Sequence, residues 1–100
     1  MPTLVELVFE YSDAIHNGRT ISSIFNAGMD EMYELRDETV KSELQQKEGA
    51  DGILGEGIDV MLCVIDLIRK KYPEITEDEI VAYARTKCEK WKRKYGVPAQ

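Results

Sequence analysis

Residues 55–68 read GEGIDVMLCVIDLI, a run dominated by Val, Leu, Ile, Met and Cys in which only Glu56, Asp59 and Asp66 carry charge. An ionised carboxylate in apolar surroundings is costly unless a cation meets it. A fold for this chain must therefore bury the run and also supply positive charge to its acids. The same three acids interrupt the run before it reaches the ~18 apolar residues of a membrane span. The segment predicts a helix over about 53–71, apolar on most of its circumference, closed where Pro73 disfavours helical geometry at Tyr72.

The remaining punctuation predicts three more helices. Leu4, Leu7, Val8, Tyr11, Ala14 and Ile15 recur at helical spacing, giving a helix over about 3–17 that stops at Asn17-Gly18. Ile21, Ile24, Phe25, Gly28, Met32 and Leu35 form one stripe of a long second helix from about Thr20 to Leu44. The polar segment QQKEGADG, residues 45–52, connects it to the apolar helix. For the last helix, Thr76 and Glu79 make a capping-box pattern, and the stripe runs through Ile80, Tyr83, Ala84, Lys87 and Trp91 to Tyr95 before Gly96 and Pro98. There is no internal repeat, no low-complexity tract and no sustained strand-like alternation. The expectation is one all-α domain over residues 1–100, a four-helix bundle. So many amphipathic helices in so short a chain leave apolar surface uncovered, which predicts a homo-oligomer, a homodimer or homotetramer.

Charge narrows the function classes. A formal net charge of −6 argues against a general nucleic-acid binder, because phosphate contacts supply most non-specific affinity. Within that sum, base is concentrated late: Arg69, Lys70, Lys71, Arg85, Lys87, Lys90, Lys92, Arg93 and Lys94 fall in the last third. An anionic pocket beside a cationic strip is therefore within reach of the fold. Cys63 and Cys88 lack a CxxC context and no basic-then-apolar leader precedes them, so they read as reduced, packed thiols of a cytoplasmic protein with no membrane association. His16, the one histidine, reads as an exposed or capping residue at a helix end.

Residues three apart on a helix project within about 60° of each other. Glu56 and Asp59 thus share a face of the third helix, and Glu31, Glu34 and Glu38 share one of the second. If these helices pack antiparallel, Glu31, Glu34, Glu56 and Asp59 converge. Two like charges about 4 Å apart repel by about 4 kcal/mol at an effective dielectric of 20, a large share of a small domain's stability. Protonation relieves this; a hard divalent cation does so better, and carboxylate oxygens with water are the ligands Mg²⁺ prefers, with Mn²⁺ as substitute. On the second helix the commoner account of an ExxE is a solvated face; on the apolar third helix that account is weaker. Asp66, two turns beyond Asp59, reads as a further ligand or as half of a structural ion pair with a basic residue of the fourth helix, the ion pair being the commoner account.

The order DEMYE (residues 30–34), then EGID (residues 56–59), resembles the EExxE and ExxD signature of the MazG-like all-α nucleoside triphosphate pyrophosphohydrolase superfamily. The tail KCEKWKRKYG, residues 87–96, is similar to that family's closing helix, with Trp91 where Asn is usual; Asp30 replaces the first Glu. The resemblance implies a MazG-like bundle that hydrolyses a nucleoside triphosphate between its α and β phosphates, giving a monophosphate and pyrophosphate. It implies Mg²⁺ held by Glu31, Glu34, Glu56 and Asp59, with Glu34 or Glu38 as catalytic base and Lys87, Lys90 and Lys94 neutralising phosphate charge. Trp91 would stack on the base, its competing role being a core or interface anchor. Phosphoribosyl-ATP or dUTP pyrophosphohydrolysis by the same fold is an alternative, and a non-catalytic helical interaction module is the reading from another class.

Overall fold

The computed structural model describes residues 1–15, 18–44, 49 and 51–96. Its regular structure is all-α: α1 (Leu4–Ala14), α2 (Ile21–Leu44), α3 (Gly52–Lys71) and α4 (Glu77–Tyr95), with no strand among the described residues. Asn17, His16 beside it, residues 45–48, Ala50 and Pro98 lie outside the described residues, so the readings that rest on them are untouched. No described helix is long and apolar enough to cross a membrane.

Local chemistry sets the helix starts. Thr3 and Thr76 both accept from the backbone N–H three residues on while Glu6 and Glu79 reach back to the cap, so α1 and α4 each open with a complete capping box. Thr20 and Ser23 exchange the same pair of hydrogen bonds at the start of α2, at 2.9 and 3.0 Å. Gly18 precedes that start with φ +66°, a left-handed value that a side chain would resist. Gly96 closes α4 in extended backbone, φ −73° and ψ 155°, and not in the left-handed cap its position predicts. Replacing Thr76 by Ala removes a cap worth about 1 kcal/mol. We expect faster hydrogen exchange at the first amides of α4, including Glu79, and an unchanged rate at Glu6.

The α2–α3 hairpin is the body of the fold, with α1 laid on α3. Its helices run antiparallel: Gly28 lies against Cys63, while further along α2 Glu38 meets Gly49 just before α3. A Cβ on Gly28 would stand 3.4 Å from the Cys63 Cβ, an ordinary van der Waals contact, so the two helices pass side by side at this point. Among the described residues Val8 and Ile24 are the buried apolar ones, and no side chain falls below 2% exposure. The fourth helix makes no extensive contact with the others, and every described residue from Val81 to Gly96 is exposed. Three helices therefore pack and one projects.

A half-buried ion pair ties the packed part together. Arg19 forms a salt bridge with Asp66, its second guanidinium nitrogen 3.1 Å from the other carboxylate oxygen, and Ser12 donates its hydroxyl to that same oxygen. The Arg19 Nε–H also donates to the Ile15 carbonyl at 2.8 Å. Burial alone would push the Asp66 carboxyl up, but the hydrogen bonds from Arg19 and Ser12 outweigh it and hold the group below the usual carboxylate range. Asp66 is thus a structural ion-pair partner, but to Arg19 before α2 and not to the fourth helix. A second pair, Arg69 with Asp13 at 3.2 Å, links α3 to α1, with the guanidinium 4.5 Å above the Phe9 ring.

Candidate metal centre

The acids stand one turn further on from the contact of Gly28 with Cys63. Glu31 and Glu34 follow Gly28 on α2, Asp59 and Glu56 precede Cys63 on α3, and antiparallel packing brings all four carboxyl groups to one place. One oxygen from each lies within 4.8 Å of the others. Glu34 is exposed while Glu31, Glu56 and Asp59 are half-buried, so the group opens to solvent at one side.

The electrostatics of this group are those of charges lacking a counterion. Burial and the neighbouring Glu34 carboxylate, with smaller contributions from Asp59 and Glu56, push the Glu31 carboxyl up to about 7. Burial, then Glu34, Asp51 and Asp59, push Glu56 up as well. The Cys63 thiol is raised by burial and by the negative charge of Glu31, Asp66 and Asp59. Oε2 of Glu31 and Oε2 of Glu56 are buried without a hydrogen-bond partner among the described residues. An orphaned buried acceptor is costly, and two of them on members of one four-carboxylate group fit a cation supplied from outside. The donor set, carboxylate oxygens only with an open side for water, suits Mg²⁺ or Mn²⁺ and contains none of the soft ligands that select zinc or copper.

The other predicted site residues lie elsewhere. Glu38, 5% exposed, sits one turn beyond Glu34 and accepts a hydrogen bond from the Gly49 N–H, outside the four-carboxylate group. Asp30 is exposed on α2. Lys87, Lys90, Trp91 and Lys94 are all exposed on α4, Trp91 at 70%. Lys87 borders the groove between α4 and the end of α3, beside Ile68 and Tyr72. From Asp59 to Ile68 is about 13 Å along the helix at 1.5 Å per residue. Within one chain, the basic helix and the carboxylates are not gathered.

Two features were not read from the sequence. Gly28 and Cys63 form a contact between α2 and α3 one turn from the site, a pairing of two small residues of otherwise ordinary stripes. A cavity of about 520 Å³ also opens between α1, α2 and α3, with Leu7, Tyr11 and Ile15 on one wall and Ala27, Leu62 and Cys63 on the others. Ala27 is one turn before Glu31 and Cys63 one turn after Asp59, so this apolar space adjoins the carboxylates. Comparison with protein-family models, with curated proteins and with solved structures gives no match to this chain.

Proposed function

We propose that the chain is a Mg²⁺-dependent nucleoside triphosphate pyrophosphohydrolase acting in the cytoplasm, cleaving between the α and β phosphates. The observation that carries this reading is the convergence of Glu31, Glu34, Glu56 and Asp59 on one point with two buried oxygens unpartnered. The sequence resemblance supplies the reaction class; the geometry supports the cation that this class requires. A bound divalent cation would neutralise phosphate charge and acidify the attacking water.

The residues of the chain then have separable tasks. Glu31, Glu56 and Asp59, half-buried, hold the cation and fix the phosphates relative to α2 and α3. Glu34, the exposed member, would accept the proton of the attacking water. Glu38, committed to the Gly49 N–H, steadies the far end of α2 against the segment leading into α3. The neighbouring cavity is within the size range of small-ligand pockets and its apolar walls suit the flat face of a base.

The test is pyrophosphate release from a panel of nucleoside triphosphates with Mg²⁺. We expect turnover of at least one substrate, lowered 100-fold or more in Glu56→Gln, in line with the cost of disturbing metal ligation, roughly 10–100-fold for supporting groups alone. Glu38→Gln, in contrast, should retain activity within about 10-fold and lose stability. Undiminished turnover in Glu56→Gln would remove the carboxylates from the reaction. No turnover of any triphosphate by a protein that binds Mg²⁺ would favour the helical interaction module.

A further inference from the structure

We infer that one face of α4 is a docking surface for an acidic helix of another protein, a helix with Glu or Asp on both flanks of an apolar seam. From Val81 onward the apolar residues Val81, Ala84, Cys88, Trp91 and Tyr95 follow one another at alternating intervals of three and four. That is the spacing of a and d positions in a coiled coil, which turn toward a partner helix. Such a seam is narrower than the stripe by which a helix packs on a globular core. All of these residues are exposed, Val81 at 45%, Trp91 at 70% and Tyr95 at 73%. The seam is therefore bare over its whole length, about 21 Å at 1.5 Å per residue.

Charge names the occupant. Between Ala84 and Tyr95 the positions that flank this seam are Arg85, Lys87, Lys92 and Lys94, and every one is basic. The acids of α4 stand apart: Glu77, Asp78 and Glu79 occupy the first turn, and Glu89 projects about 100° round from Cys88. The groove at the base of the helix is mixed, with Lys71 and Lys87 beside Glu74 and Glu79, so the uniform charge belongs to the projecting part. Flanking positions meet across a helix pair and set partner choice. Two copies of α4 would place cations against cations in the parallel and in the antiparallel arrangement, and like charges so placed repel. The seam thus rejects its own kind and accepts a helix whose flanks are carboxylates. With Ala84 and Cys88 in its middle, it is also too narrow to bury a broad apolar face in a lipid surface. Nucleic acid is disfavoured by the charge of the whole chain, −6. Trp91, exposed between basic residues, supplies the anchor that a small interface needs. Two heptads bury little area, so the complex is a transient one.

Trp91 is the chain's one tryptophan and reads the surface directly. The probe is a synthetic three-heptad peptide with Leu along its seam and Glu at every flanking position. It is titrated into the full chain without Mg²⁺ or nucleotide, which separates the outcome from catalysis. We expect a saturable blue shift of the Trp91 emission that weakens as salt is added, and no shift with the same seam flanked by Lys. Arg85→Glu combined with Lys92→Glu should weaken binding by about 10-fold or more, while Arg93→Glu, away from the seam, should change it by less than about threefold. All three positions are exposed on a helix that packs on nothing extensive, so the fold does not depend on them. No shift with the Glu-flanked peptide, equal binding of the Lys-flanked one, or an equal loss in Arg93→Glu overturns the inference. Trp91 emission that is already blue in the chain alone and moves to the red on dilution overturns it as well, because copies of the chain then cover the seam. Vesicles of phosphatidylserine and phosphatidylcholine, or a thymidine oligonucleotide, that shift Trp91 at lower concentration than the peptide overturn it in favour of a lipid surface or a nucleic acid.

Discussion

Mg²⁺ at 100 times its dissociation constant should stabilise the folded chain by about 2.7 kcal/mol, raising the thermal midpoint of a domain this size by roughly 10–20 °C. The expectation follows from the four carboxyl groups within 4.8 Å and from the two buried oxygens without partners. In the cation-free protein those groups repel one another, and folding must bring them together against that repulsion. A divalent cation removes the repulsion and also fills the unpartnered acceptors. Glu56→Gln should lower the repulsion, so the cation-free variant should melt at or above the parent and gain little from Mg²⁺. Protein concentration must be held fixed, because an assembling chain has a concentration-dependent midpoint. Equal midpoints with and without Mg²⁺ or Mn²⁺ would remove the cation from the site.

The same group fixes the pH dependence. Glu31 is raised to about 7 in the folded chain, from the ordinary value near 4.5, by burial and by Glu34. A carboxyl raised on folding binds its proton more tightly in the folded state, so its stabilising contribution is complete below the unfolded value and is lost as pH rises through about 7. The cation-free protein should therefore melt higher at pH 5 than at pH 8. Binding requires the ionised form, so saturating Mg²⁺ should reduce this decline or reverse it. Melting curves across that range, with chelator and with Mg²⁺, check both signs.

The helices were legible because their signals are local. The capping box at Thr76, the Tyr72-Pro73 stop and the 3.6-residue stripes each act over a few positions, and four helices appear where those signals stand. The carboxylate group was legible for a related reason: ExxE and ExxD fix two pairs by helix geometry, leaving only the antiparallel pairing of α2 with α3 to be supplied. Partners distant in sequence were not legible. Asp66 meets Arg19 and not a residue of α4 because α1 crosses α3 and turns at Gly18, a tertiary fact that no stripe encodes. Likewise Lys87 and Lys90 occupy a face fit to meet phosphate, yet the direction in which α4 leaves α3 keeps them from the acids of their own chain. Cys88, read as packed, is exposed on that same projecting helix, whereas Cys63 is half-buried against Gly28.

Arg19→Ala should be the most destabilising of the single substitutions considered, costing about 2–3 kcal/mol for a half-buried pair. The change leaves the half-buried Asp66, whose side chain is 14% exposed, with the Ser12 hydroxyl and the more distant charge of Lys70 to stabilise its carboxylate. It also removes the guanidinium bonds to the Ser12 and Ile15 carbonyls, which hold the end of α1 to the residues entering α2. The comparison is Asp13→Ala, which removes an ion-pair partner that is 60% exposed and should cost no more than about 1 kcal/mol. Asp66→Asn combined with Arg19→Met should recover part of the loss, because removing both charges leaves no buried ion without its partner. The pH profile gives an independent check. Asp66 is lowered on folding, so its contribution is present above the unfolded value and disappears as pH falls through the folded one. The gap between parent and Arg19→Ala should accordingly be widest near neutral pH and narrow in acid; a gap that does not change with pH would mean that Arg19 acts through packing and its carbonyl contacts, with the charge pair contributing nothing.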